Sequence, residues 1–225
     1  LISGKTISGG SGTDTLVVFG SSITNINSAK LTIETMETFD LNSGADAGVR
    51  VSMFAADLEA FSTITGDGTT DLIAPFFGDY TLLSSSTLTN IEAIFLNDPA
   101  GGFNNGAQAF VINDGATITG LNAVIGKVSA SGAPDDNIEI FGDRDLSGVG
   151  LTNIDAVELK GGDGVRQTLG VDFVSTGLAG IRGFETGTGS TSDVFDYKSN
   201  LFSGDGTSRL SGTDLTLTTI DSGAR

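Results

Sequence analysis

The stretch "LTNIEAI" occupies residues 88–94, and "LTNIDAV" occupies residues 151–157. The two match at five of seven positions, and the changes, Glu to Asp and Ile to Val, keep charge and shape. Their last four letters belong to a wider signature: apolar, polar, small, apolar. It recurs as IETM (33–36), LEAF (58–61), IEAI (91–94), LNAV (121–124), IDAV (154–157) and IRGF (181–184). Successive copies begin 25, 33, 30, 33 and 27 residues apart. A period near 30 residues with variable insertions marks a repeat architecture, in which each unit buries its apolar side against the next.

The units read as strands. Glycine and β-branched residues are frequent, and no long stripe of period 3.6 appears. Alternation of period two does appear. Val49, Val51 and Met53 alternate with Arg50 and Ser52, Ile138 and Ile140 with Asn137 and Glu139, and Val157 and Leu159 with Glu158 and Lys160. "LTLTTI" (215–220) repeats the pattern near the end. Turn compositions bound these runs: SGAD, GDGTTD, GAPDDN, GGDG, GTGSTSD and SGDGT.

The expected fold is therefore all-β, a parallel β-solenoid of the β-helix or β-roll kind with coils of about 30 residues. In this reading Ile33, Leu58, Ile91, Leu121, Ile154 and Ile181 form one interior column. Met36, Phe61, Ile94, Val124, Val157 and Phe184 form a second, and the polar residue between points outward. A β-sandwich with evenly spaced hairpins is the alternative, though it gives no reason for a repeated signature. Residues 1–225 read as one elongated domain: a β-roll-like entry over 1–20, irregular coils over 21–190 and a C-terminal coil over 191–225. Leu1 is not an initiator Met and the sequence stops at Arg225 within repeat-like text, so an excerpt of a longer polypeptide is expected.

Composition narrows the chemistry. The chain has 11 basic and 28 acidic residues, a formal charge of −17, which repels nucleic acid and anionic membranes and attracts hard divalent cations. No apolar run approaches the roughly 18–20 residues of a membrane-spanning helix. Cysteine and histidine are both absent, which excludes Cys/His zinc sites, disulfides and His-based acid–base catalysis. A cysteine-free chain is indifferent to an oxidising exterior.

Calcium is the cofactor this sequence invites. "SGGSGTDTLVVFG" (8–20) contains G-G-x-G-x-D-x-L, the nonapeptide pattern of calcium-binding β-rolls. Gly9, Gly10 and Gly12 would form the turn, Asp14 would be the carboxylate ligand, and Leu16 would enter the core. One copy supplies half a site, and the upstream residues carry no acid. A plain glycine turn before the strand TLVVF is the alternative. Further oxygen donors lie in acidic turns at Asp67 and Asp71, Asp135 and Asp136, Asp143, Asp163 and Asp193. Each of these could equally cap its own turn.

Catalysis has thin support. Asp143, Arg144 and Asp145, or Lys160 near Asp163, are the acid–base groupings a β-helical polysaccharide-degrading enzyme would draw on, and no basic cluster suits a uronate. Phe76, Phe77, Tyr80 and Phe103 read either as a platform for a surface glycan or as core plugs. The Ser/Thr-rich run from Leu82 to Asn90 reads as a polar strand–turn edge.

"GGSGTDTLVV", the two LTNI segments and the tail "SDVFDYKSNLFSGDGT" resemble the RTX-like, S-layer-type repetitive surface proteins that Gram-negative bacteria export by type I secretion. The resemblance implies secretion, calcium-dependent folding outside the cell, and a place in a surface layer, adhesin or extracellular filament. The chain departs from that pattern in lacking tandem nonapeptides. The function expected is a non-catalytic extracellular structural protein of the bacterial cell surface, calcium-stabilised and self-assembling as a homo-oligomer or polymer. A glycan-binding adhesion module, a polysaccharide-degrading enzyme and a phage spike are the alternatives.

Overall fold

The computed structural model describes residues 5–19, 23–25, 31–42, 48–68, 70–96, 106–127, 136–161, 167–171, 180–182 and 194–197. Within them the secondary structure is strand, apart from one short helix, Ala55–Leu58. Every strand pairing among these residues is parallel. A hairpin sandwich needs antiparallel neighbours, so that alternative falls.

Three large sheets carry the fold. The first stacks Thr15–Phe19, Thr38–Asn42, Thr63–Gly66, Thr87–Thr89 and Thr117–Thr119. The second stacks Ile23–Asn25, Arg50–Phe54, Leu72–Phe76, Ala93–Phe95, Ala123–Ile125 and Gly150–Thr152. The third stacks Tyr80–Leu82, Ala109–Ile112, Asp136–Ile140, Ile154–Leu159 and Gly180–Arg182. An entry pair joins Lys5–Ser8 to Leu31–Glu34, and an exit sheet joins Arg144–Leu146, Thr168–Val171 and Val194–Tyr197. Consecutive described strands always lie in different sheets. From Tyr80 to Ile125 the chain visits the third, first and second sheets, then repeats that order.

Parallel, in-register stacking places like residues over like residues, and the core follows. In the first sheet Phe39, Ile64 and Leu88 lie in one register column and are buried. In the second, Val51, Ile73, Ile94, Val124 and Leu151 do the same. In the third the column is Tyr80, Phe110, Ile138 and Val157. Each such side chain removed from water stabilises the stack by about 1.5–3 kcal/mol. Alternation reads correctly: Val49, Val51, Met53, Ile138, Ile140, Val157 and Leu159 are all buried. Ser52 is buried as well, so the second sheet is covered on both faces there.

The repeat signature does not form two single columns. Ile94 and Val124 face each other as expected, but the next residue in that column is Leu151. Val157 lies in the third sheet opposite Ile138 and Ile181, and Ile154 opposes Asp136 across a register irregularity. Leu58 sits in the helix and Met36 in the turn before Thr38, while Phe184 lies outside the described residues. The physical reason is that the signature marks a kind of corner, whichever sheets it joins. In three copies the residue before it turns the chain with positive φ, Asn90 at 52°, Gly120 at 81° and Asn153 at 55°, while Thr35 at 51° lies inside IETM and turns the chain into Met36, Glu37, Thr38 and Phe39 instead. An apolar anchor follows, then a polar residue, a small one and the first inward side chain of the next strand. "LTNIEAI" leads from the first sheet into the second, and "LTNIDAV" leads from the second into the third. Paired residues of successive strands are as few as 18 residues apart, Asp136 and Ile154, and as many as 30, Ile94 and Val124. Most coils are thus shorter than the signature spacing suggests.

The aromatics divide. Phe76 and Tyr80 are buried, and Tyr80 stacks on Phe110 with ring centroids 5.6 Å apart. Phe39 stacks on Phe61 at 4.9 Å. Phe77 is 49% exposed and rests against Phe54 and Phe76. Phe103 lies outside the described residues. The Tyr80 hydroxyl is buried without a hydrogen-bond partner, and burial pushes its ionisation far above the ordinary phenol range. An unpaired buried hydroxyl costs about 1–3 kcal/mol. Tyr80→Phe keeps the ring stack and removes that cost, so urea unfolding should show equal or greater stability, by up to about 2 kcal/mol. A loss beyond 1 kcal/mol, roughly one hydrogen bond, would mean the hydroxyl has a partner after all.

Candidate functional site

Corners create a hydrogen-bonding problem. Where a strand ends, its amides leave the ladder, and a buried amide without an acceptor is costly. Here carboxylates of neighbouring coils accept those amides, and an ionised acceptor makes a stronger bond than a carbonyl. The Glu37 carboxylate accepts the Asp14 amide at 2.8 Å, Glu92 accepts the Asp71 amide at 2.6 Å, and Glu59 accepts the Thr81 amide at 2.7 Å. Asp79 accepts the Ala109 amide at 2.8 Å, and Asp143 accepts the Thr168 amide at 2.6 Å.

Two corners carry this further. Asp71 accepts the Val49 amide on Oδ1 at 2.7 Å and the Asp67 amide on Oδ2 at 2.8 Å. Asp136 accepts the Gln108 amide on Oδ1 at 2.7 Å and the Lys127 amide on Oδ2 at 2.6 Å. Each closes its own loop with one oxygen and ties a neighbouring coil with the other. Gln167 does similar work, accepting the Gly161 amide at 2.6 Å and donating to the carbonyls of Ile140 and Gly142. Burial pushes the Asp71 carboxyl above the ordinary carboxylate range, while the amides of Val49 and Asp67 pull it back.

A glycine opens each of these loops for a steric reason. A Cβ on Gly66 would strike the Asn90 carbonyl oxygen and the Asp71 carboxylate, and one on Gly126 would strike the Asn153 carbonyl oxygen and the Asp136 side chain. Gly9 stands in the same relation to Thr35 and Asp14. The opening "GGSGTD" is thus one of a set of glycine-to-acid corner loops. Its glycines Gly10 and Gly12 are exposed with φ of 91° and 126°. The Asp14 amide is held by Glu37, its carbonyl accepts the amides of Glu37 and Thr38, and its Oδ2 is buried without a hydrogen-bond partner.

The acids expected to hold metal are distributed among separate corners. Asp67 and Asp71 share one loop, while Asp14, Asp136 and Asp143 belong to others. Asp135, Asp163 and Asp193 lie outside the described residues. Among the described residues, no group of three or more Asp or Glu converges as a metal-holding set. The acid–base groupings are tied up in structure. Asp145 accepts the amide and hydroxyl of Ser147, and the Arg144 guanidinium donates to the Asn113 carbonyl at 2.5 Å. Burial lowers the Arg144 pKa, and the charge of Asp114 opposes that shift. Lys160 reaches Glu158 at 2.8 Å and Glu139 at 3.2 Å, offsetting the repulsion of two glutamates that lie directly opposite each other.

Glu37, Glu59 and Glu92 are the residues the sequence hid. All three occupy the polar slot of the repeat signature or its immediate sequel, which period two assigns to solvent. No family model, no curated protein and no solved structure matches the chain.

Proposed function

We propose that this chain is a parallel β-solenoid serving as a non-catalytic structural element of an extracellular bacterial surface layer, filament or adhesin, and that copies associate end to end. The observation that carries the reading is the topology: among the described residues each strand pairs only with counterparts above and below it, never with its chain neighbour. Such a stack exposes strand edges at its ends, and those edges accept further parallel strands. Among the described residues Thr15–Phe19 is the edge of the first sheet, and its Leu16, Val17 and Val18 are half-buried where Phe39 and Leu41 of the next strand are fully buried. Phe19 beside them is 71% exposed. A head-to-tail contact of this kind does not close on itself and grows as a filament.

The charge of −17 opposes association at low salt. Sedimentation velocity should therefore show larger species as NaCl rises from about 0.02 to 0.5 M, where the Debye length falls to a few ångströms. Phe19→Lys, an exposed substitution that spares the fold, should suppress them. A monomer at every salt concentration would remove the assembly part of the proposal.

Calcium enters at the loop Gly9–Asp14. What supports it is the buried, unpaired Asp14 Oδ2, one donor toward the six to eight oxygens calcium takes. On this reading added calcium raises the melting temperature of the native chain and leaves Asp14→Asn unchanged. A native melting curve insensitive to both calcium and EDTA discards the metal and leaves the solenoid reading intact.

A further inference from the structure

Among the described residues the first sheet ends inside the stack, at Thr117–Thr119. Strands Ala109–Ile112 and Ala123–Ile125 flank Thr117–Thr119, and each pairs with a strand of the next coil, Asp136–Ile140 and Gly150–Thr152. Thr117–Thr119 itself does not pair with Arg144–Leu146, the strand between those two. One edge of Thr117–Thr119 is occupied by Thr87–Thr89, and one edge of Arg144–Leu146 by Thr168–Val171. Their other edges border a cleft of about 310 Å³, with Ile118, Leu121, Leu146 and Val149 among its lining and Asp143 and Asp145 at its polar side.

Burial records that end. In the first sheet's column Phe39, Ile64 and Leu88 are fully enclosed, whereas Ile118 is only half-buried. Thr117, Thr119 and Gly120 around it are exposed. This is a slot bordered by two strand edges with apolar side chains in its lining, and the ladders on both of its flanks are paired.

We propose that this cleft docks an extended, neutral-to-basic peptide segment, which adds as a strand between the two edges. Main-chain hydrogen bonds to a sheet edge supply affinity, and alternate side chains entering the apolar floor supply selectivity. The charge of the rim selects the occupant. Asp143 and Asp145 are exposed, and Asp114 stands exposed beside Arg144, whose guanidinium is committed to the Asn113 carbonyl. A lysine-bearing segment complements that rim, and an acidic one is repelled. The lining contains no aromatic ring on which a sugar would stack.

The test is an amide NMR titration of the full chain with three capped heptapeptides. The first alternates lysine, valine and threonine. The second replaces each lysine with glutamate. The third keeps the lysines and places proline at alternate positions, so it matches the charge without offering strand hydrogen bonds. The first should shift amides of residues 117–121 and 144–149 with a dissociation constant of about 1 mM or tighter, the glutamate peptide should bind at least about tenfold more weakly, and the proline peptide should leave those amides unmoved. Ile118→Glu and the milder Ile118→Thr should each weaken the first peptide while leaving the amides of the second and third sheets at native positions. Shifts spread over the acidic surface, or equal shifts from the proline peptide, would reduce the effect to charge alone and overturn the proposal, as would no binding to the folded chain.

Discussion

Replacing Asp71 by alanine is expected to lower the unfolding free energy by about 3–4 kcal/mol, since two amides then lose their acceptor in a buried corner at about 1–3 kcal/mol each. Those amides belong to Val49, in the coil below, and Asp67, at the start of the same loop. The carboxylate that joins them is wholly buried. For a domain of this size the melting temperature should fall by roughly 10 °C. Asp71→Asn keeps one acceptor and turns an amide donor toward the other N–H, so it should cost less than alanine and more than nothing, about 1–2 kcal/mol. Its pH profile adds a second readout. Burial raises the folded carboxyl above its unfolded value of 3.8. A raised acid contributes stability that is full below the unfolded value and is lost as pH rises through the folded one. The native chain should therefore lose ground to Asp71→Asn as the pH rises from below 3.8 through the raised folded value. Equal stability of native and Asp71→Ala proteins in urea would show that the corner carboxylates are decorative.

The contrast between what the sequence made legible and what it concealed follows from how far apart the partners are. Alternation is local, so Ile138 and Ile140 announced an inward face, and Val49, Val51 and Met53 announced another. The polar strand–turn edge between Leu82 and Asn90 was equally plain. Parallel stacking was foreseeable from the repeat alone, because a signature that recurs demands neighbours that match. Which sheet each copy entered was concealed. Asn90 and Asn153 turn the chain with nearly the same φ, yet one leads from the first sheet to the second and the other from the second to the third. The sequence of a corner specifies its bend and leaves open which of three bends it is. The caps were concealed for a related reason. Glu92 meets the amide of Asp71, 21 residues earlier, and Asp71 meets that of Val49, 22 residues earlier. Only a fixed coil register brings such pairs together, and that register varies from rung to rung. An acid in the polar slot of a strand pattern then reads as solvated surface, and an acid in a glycine loop reads as a metal ligand.

The same geometry makes Gly126→Ala the second large expected loss, about 3 kcal/mol, at the upper end of what overpacking costs. The alanine methyl would overlap the Asn153 carbonyl oxygen and press on the Asp136 Cβ and Oδ2, each 3.0 Å from the Cβ position. None of these atoms yields cheaply. Asn153 holds the next corner at a φ of 55°, and its side chain donates back to the Gly126 carbonyl. Asp136 is buried and holds two amides, so moving it strains the bonds to Gln108 and Lys127 together. Gly106→Ala is the control, since nothing lies within 4 Å of its Cβ position. It should stay within about 0.5 kcal/mol of the native chain, as surface substitutions do. If both alanines are tolerated alike, the coils are further apart at this corner than the close approach of Gly126 and Asn153 requires. If Gly126→Ala alone unfolds the chain early, the glycine of each glycine-to-acid loop is there to let two coils touch. The opening "GGSGTD" then owes its first glycine to Thr35 of the next coil, independently of whether Asp14 ever meets calcium.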